Sequence, residues 1–238
     1  MALPQVVSPA EWEAARKELL VKEKEMTRAR DALNTERRRL PMVEVTKDYV
    51  FEGPDGKVRL DDLFDGRRQL IVQHFMFDPD WDDGCSSCTA GLDELNDGFI
   101  RHINARETSF AVVARAPIDK IEAYKAKRGW TVPFVSSYGT DFNYDFHVTL
   151  DRRMDSVEYN YRALPDLGSE DSMELPGKSC FLKDGDRVFH TYSMYARGTE
   201  MTGGSYYFLD LTALGRQEDW EEPTYRHESP HDATPNFS

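Results

Sequence analysis

Residues 69–77 read QLIVQHFMF, a nearly continuous apolar run, and a Cys85-Ser86-Ser87-Cys88 motif follows it closely. Such a run is what a strand covered on both faces of a parallel sheet requires. Leu92, Leu95, Phe99 and Ile103 then recur at helical spacing, predicting a helix over 88–104 with one apolar face, and residues 108–114 predict the next strand. Strand, helix and parallel strand make a right-handed βαβ unit. Its helix starts at the carboxyl edge of the first strand, where open α/β sheets bind ligands. Gln73 and His74 interrupt the apolar run, and a polar group in such a strand is usually satisfied inside the core, which is the reading given to His74.

A Cys-x-x-Cys with its first thiol at a helix N-terminus has the layout that dithiol exchange needs. Free backbone N–H groups and the helix dipole favour the first thiolate, and the second thiol lies one turn away to resolve a mixed disulfide. Cys85 is therefore the candidate nucleophile and Cys88 the resolving thiol, with the hydroxyls or N–H groups of Ser86 and Ser87 as donors to the Cys85 sulfur. Asp78, Asp80, Asp82 and Asp83 oppose this. A carboxylate ~6 Å away at an effective dielectric of ~40 costs a thiolate roughly 1.4 kcal/mol, against about 0.3 to 1 kcal/mol returned by the helix terminus. Cys85 is accordingly expected to be less acidic than a typical redox cysteine.

Metal readings fare worse. A structural zinc site wants four ligands, and only Cys180 with His74 or His190 remains to complete one. The aspartates suggest a calcium loop, but counting from Asp78 the sixth and twelfth positions hold Asp83 and Thr89 in place of glycine and glutamate. No metal and no cofactor is expected. Cys180 is read as a buried small apolar residue.

The rest of the chain is organised around this unit. Ser8, Pro9 and Glu11 form a capping box with proline at the first helical position, opening a helix from Pro9 into the Arg37-Arg38-Arg39 triplet. Its apolar positions Trp12, Ala15, Leu19, Met26, Ala29 and Leu33 follow a heptad-like spacing that Lys22 interrupts, which suits an arm against the body or a homodimer partner. Residues 43–51, the turn Gly53-Pro54-Asp55-Gly56 and residues 57–60 predict a β-hairpin, and Pro117 opens a helix over 118–128 that Gly129 ends. The pattern weakens over 130–175. A second hairpin follows, 179–182 and 187–193 about a turn at 183–186, then a weaker helix over 206–214 stopped by Gly215. The expected organisation is a helical arm (1–40), one domain (41–216) with an insertion at about 137–175, and an acidic, partly disordered tail (217–238).

Composition narrows the partners. A net charge of -13, from 43 acidic and 30 basic residues, would repel a phosphate backbone, so nucleic acid is not expected. No stretch approaches a membrane span, no basic and apolar leader opens the chain, and three cysteines cannot frame a secreted fold, so a cytoplasmic protein is expected.

Several segments together resemble the family called domain of unknown function 899: Glu36-Arg37-Arg38-Arg39-Leu40-Pro41, Asp48-Tyr49-Val50-Phe51, Leu63-Phe64, His74-Phe75-Met76-Phe77, Trp81 with Cys85 to Cys88, Thr191-Tyr192-Ser193, Arg197-Gly198 and Leu209-Asp210-Leu211-Thr212. Its members are described as dithiol-disulfide oxidoreductases of the thioredoxin superfamily. The resemblance implies a thioredoxin-like α/β fold: a central mixed sheet with flanking helices, a long N-terminal helix, an N-terminal β-hairpin and an insertion before the last hairpin. It also implies a protein or small-molecule thiol or disulfide as partner, and a groove flanked by Trp81, Ser86, Ser87 and a proline before the final hairpin. Pro176 is the candidate, one residue too early by count from the Lys183-Asp184-Gly185 turn. Two other readings stay open. A peroxiredoxin-like thiol peroxidase would need a proline at Asp78 and Thr or Ser at Asp82, with Pro79 one residue out of register. A non-catalytic binding or assembly protein would use the aromatics Tyr192, Tyr195, Tyr206 and Tyr207.

Overall fold

The computed structural model describes residues 4–154, 157–164, 167, 171–202 and 204–213. They fall into two compact units, one containing 4–41 with 208–213 and the other drawn from 42–207. In the first, helix α1 (Pro9–Arg37) begins as the sequence requires: Ser8 Oγ accepts from the Glu11 N–H at 3.3 Å, and Glu11 Oε2 accepts from the Ser8 N–H at 2.9 Å. Such a cap stabilises a helix by about 1 kcal/mol. None of its residues is buried.

The second unit is built on an eight-stranded mixed sheet. In chain order its elements are β1 (Val43–Glu44), β2 (Val50–Gly53), β3 (Gly56–Arg59), β4 (Gln69–His74), α2 (Ser86–Asp93), α3 (Asp97–Asn104), β5 (Thr108–Ala114), α4 (Ile118–Arg128), β6 (Phe134–Ser136), α5 (Phe142–Asp145), β7 (Thr149–Asp151), β8 (Glu158–Tyr159), β9 (Arg162–Ala163), β10 (Ser172–Glu174), β11 (Gly177–Asp184) and β12 (Arg187–Tyr195). Helix α6 (Gly204–Leu209) spans the boundary between the units. The strand order is β1-β12-β11-β4-β5-β6-β2-β3, with β4, β5 and β6 parallel and β11 antiparallel to β4. A parallel βαβ unit flanked on the β4 side by an antiparallel hairpin makes this a thioredoxin-like α/β fold.

Strand alternation divides the core into two layers. Leu70 and Val72 of β4, Ala111 and Val113 of β5 and Phe181 of β11 pack on one face with Phe51, Phe64, Phe142 and Phe146. Ile71, Phe110 and Val112 point to the other face, among Phe75, Phe77, Cys88, Leu92, Ile121, Tyr124 and Phe134. The near-continuous apolar run of β4 exists because both faces are covered. Gly185 turns the β11–β12 hairpin with φ 60°, a conformation that favours glycine.

Four expectations change. Residues 43–51 are not one strand: β1 pairs with β12 at one edge of the sheet, while β2 pairs with β6 near the other. Between them Lys47 is tied to Asp141 and Asp145 at 2.8 and 2.6 Å. The helix over 88–104 is two helices. Asn96 breaks it by capping α3, its Oδ1 accepting from the Phe99 N–H at 3.1 Å, although Leu92, Leu95, Ile100 and Ile103 still share one core layer. Within 130–175, β6 is a core strand that the weak pattern did not announce. The helix expected over 206–214 starts earlier, at Gly204. Gly215 and the tail over 217–238 lie outside the described residues. Among the described residues no helix is long and apolar enough to cross a membrane.

Candidate functional site

Beyond β4 the chain stays buried through Phe75 and Phe77, then forms an acidic loop that returns to place Cys85 at the N-cap of α2. The return is fixed by backbone pairing: the Cys85 N–H donates to the Met76 carbonyl at 2.9 Å, and the Thr89 N–H and hydroxyl both donate to the Cys85 carbonyl at 2.9 Å. Thr89 Oγ1 lies 2.8 Å from the Tyr124 hydroxyl, joining the first turn of α2 to α4. Gly84 has no alternative here, because a Cβ would fall 2.6 Å from Phe75 Cζ.

Cys85 is half-buried, Cys88 is buried, and neither is in a disulfide. The Cys88 side chain, hydrogen-bonded to the Cys85 sulfur, is the largest influence pulling the Cys85 pKa down to about 6. The backbone N–H groups of Cys88 and Ser87 act in the same direction, and partial burial opposes them. Cys88 moves the other way. Its bond to Cys85, its burial and the charge of Cys85 raise its pKa, while the Met76 N–H and Lys178 work against that rise.

Cys85 is therefore more acidic than the aspartates led us to expect, and two of those carboxylates are held by cations. Asp78 is paired with Arg115, whose Nε also donates to Glu174 at 2.6 Å, and Asp83 is paired with Lys127 at 3.0 Å. Lys120 Nζ holds the loop carbonyls of Pro79 and Trp81 at 2.7 and 2.6 Å. Cations from the end of β5 and from α4 thus occupy the acidic loop, leaving Cys85 to its helix terminus and its partner thiol.

Ser86 and Ser87 are exposed on the first turn of α2, and Trp81 is 38% exposed on the preceding loop. Ser87 reaches Cys85 through its backbone N–H. Pro176 immediately precedes β11, whose first residue, Gly177, pairs with His74 at the end of β4. β11 thus starts two residues before the expected Ser179, directly after Pro176. The Tyr159 hydroxyl donates to the Pro176 carbonyl at 2.8 Å, accepts from the Ala196 N–H at 2.8 Å, and feels the charge of Cys88.

His74 lies on the other face of the sheet, buried against Phe142 and Phe146, with Nε2 2.8 Å from Ser179 Oγ. Cys180 is only partly buried and shares the dithiol's face, contrary to its reading as a core residue. Among the described residues no three His, Cys, Asp or Glu side chains group as metal ligands. Tyr159 was read in the sequence only as one aromatic of the insertion, and Lys178 only as an occupant of the groove in place of Pro176. For Lys178 the signal was cut off because the predicted strand opened at residue 179, whereas β11 opens at Gly177 and places Lys178, two residues before Cys180, on that residue's face.

A search of the curated proteins returned no match. Among solved structures, peroxiredoxin Q from Xanthomonas campestris is 13% identical with a TM-score of 0.45, covering 68% of this chain and 92% of that one. The peroxidoxin BcpB from Mycobacterium tuberculosis is 16% identical with a TM-score of 0.46, covering 66% and 86%. These likenesses are too distant to bear on activity, and the fold assignment rests on the strand order itself. Residues 1–233 match the family described as bacterial protein of unknown function (DUF899), and the chain belongs to that family.

Proposed function

We propose that the protein is a thiol-disulfide oxidoreductase in which Cys85 is the nucleophile and Cys88 the resolving thiol. The observation that supports this best is the placement of the pair, Cys85 half-buried at the N-cap of α2 and Cys88 buried beside it and hydrogen-bonded to its sulfur, which draws the Cys85 pKa down to about 6 and that of Cys88 up. Near neutral pH the first is mostly thiolate while the second keeps its proton. The Cys85 thiolate attacks a substrate disulfide, forming a mixed disulfide and expelling one substrate thiolate. Cys88, once deprotonated, attacks the Cys85 sulfur, which closes the Cys85–Cys88 disulfide and releases the second substrate thiol. Two electrons pass from the dithiol to the substrate, and an external thiol must return them. The exposed Trp81, Ser86 and Ser87, together with Pro176, are the proposed surface for a protein or small-molecule disulfide.

Turnover of oxidised glutathione with dithiothreitol as the external thiol tests this. Cys88→Ser should stop at a mixed disulfide on Cys85, visible as an added glutathione mass, and Cys85→Ser should be inactive. Equal turnover by wild type and Cys85→Ser would sink the proposal. Hydrogen peroxide turnover that outpaces disulfide turnover, with a sulfenic acid accumulating on Cys85 in Cys88→Ser, would replace it with the peroxidase reading.

A further inference from the structure

The resolving step needs Cys88 to lose a proton, and its surroundings offer few places for that proton to go. Cys88 packs in a layer with Phe75, Phe77, Leu92 and Tyr124. Strand register brings one basic side chain to this layer. In β11, Cys180 pairs with Ile71, which packs against the Cys88 layer, and Lys178 pairs with Gln73 two residues further along β4. Residues directly paired across antiparallel strands share a face, so Lys178 and Cys180 both look toward α2.

Lys178 is partly buried, and among the described residues no carboxylate pairs with it. Burial pushes its ammonium toward the neutral amine, while the thiols of Cys88 and Cys180 pull the other way. The charge coupling between Lys178 and Cys88 runs in both directions. The other titratable groups facing this layer are Cys85 at the start of α2, Tyr124 from α4, whose hydroxyl is hydrogen-bonded to Thr89 Oγ1, Tyr159 from β8 and, by its pairing with Cys180, Tyr192 from β12. The Tyr159 hydroxyl is committed to Pro176 and Ala196.

We propose that Lys178 is the proton acceptor for Cys88 in the resolving step, an inference that rests on the dithiol reading above. In molecules where burial has stripped Lys178 of its proton, the Cys88 proton passes to the Lys178 amine and leaves a thiolate beside the new ammonium. That thiolate attacks the Cys85 sulfur, the bond between Cys85 and the substrate sulfur breaks, and its electron pair departs on the substrate thiolate. The ammonium then returns its proton to that thiolate or to water.

The test separates the two chemical steps in the full chain carrying Cys180→Ala, so that two thiols remain. Mixed rapidly with 5,5′-dithiobis(2-nitrobenzoate), Cys85 releases one thionitrobenzoate on attack and Cys88 releases the second on resolution. Lys178→Met should leave the first phase unchanged and slow the second at least about tenfold near neutral pH. The deficit should shrink as pH rises, because hydroxide substitutes for the missing base. Lys178→Arg keeps the charge but cannot accept a proton, and it should stay as slow as Lys178→Met. An unchanged second phase in Lys178→Met, or a rate restored by Lys178→Arg, overturns the role of Lys178. Loss of the second phase in the protein that retains Lys178 overturns the dithiol reading itself.

Discussion

His74 shows at the scale of one residue how the fold uses a polar group inside an apolar strand. Its Nε2 is the first member of a buried chain that passes through Ser179 Oγ at 2.8 Å and Ser193 Oγ at 2.8 Å to His190 Nε2 at 2.7 Å, crossing from β4 to β12. Among the described residues its Nδ1 has no partner. Burial, with the positive charge of His190 and Lys178 adding to it, lowers its pKa from 6.5 to about 3. The folded state thus keeps His74 neutral where the unfolded chain would protonate it. The stability this provides is complete above pH 6.5 and is lost as the pH falls toward about 3, at up to about 1.4 kcal/mol per pH unit. His74→Gln can keep a hydrogen bond to Ser179 but has no proton to gain. Urea unfolding of both proteins between about pH 7 and pH 5 should show the wild type falling more steeply, and parallel profiles would mean that His74 is protonated in the fold.

At the scale of elements, the dithiol depends on how the loop between β4 and α2 closes. Gly84 sits where a Cβ would lie 2.6 Å from Phe75 Cζ and 3.1 Å from Tyr124 Cε1, both rings of the core layer under α2. Neither ring can swing into solvent, so Gly84→Ala should cost about 1 to 3 kcal/mol and displace the N-cap sulfur. Urea unfolding should report the loss and slower alkylation of Cys85 near neutral pH the displacement, whereas wild-type values of both would show that the loop has slack. This closure was only half legible in the sequence. The apolar run of β4, the helical spacing after Cys88 and the hairpin about Gly185 were plain because each is a local period or turn. The capping role of Asn96 was missed because the apolar spacing runs straight through it from Leu92 to Ile103. The crossing between β1 and β2, and the pairing of Asp78 with Arg115, depend on contacts between distant parts of the chain. They leave no local period, and neither does the hydrogen bond from Cys88 that lowers the Cys85 pKa most.

For the whole molecule, the low pKa of Cys85 couples stability to redox state. A thiol whose pKa is depressed by folding stabilises the fold fully above its unfolded pKa, and this stability disappears as pH falls through the folded value of about 6. The effect belongs to the reduced protein alone, because a disulfide has no proton to lose. Closing the short Cys85–Cys88 loop also constrains the unfolded chain, but that contribution does not vary with pH. The excess of 43 acidic over 30 basic side chains makes the pH dependence of either form alone hard to assign. Those groups are common to both forms, so the difference between reduced and diamide-oxidised protein isolates the dithiol. With allowance for solvent screening at the half-buried sulfur, the reduced form should gain on the oxidised form by about 1 kcal/mol between pH 6 and pH 7. The gain should continue until the unfolded thiol itself ionises, near pH 8.5. Unfolding free energies of the two forms across this range measure it directly, and a gap that stays flat would show that the fold does not hold Cys85 as a thiolate.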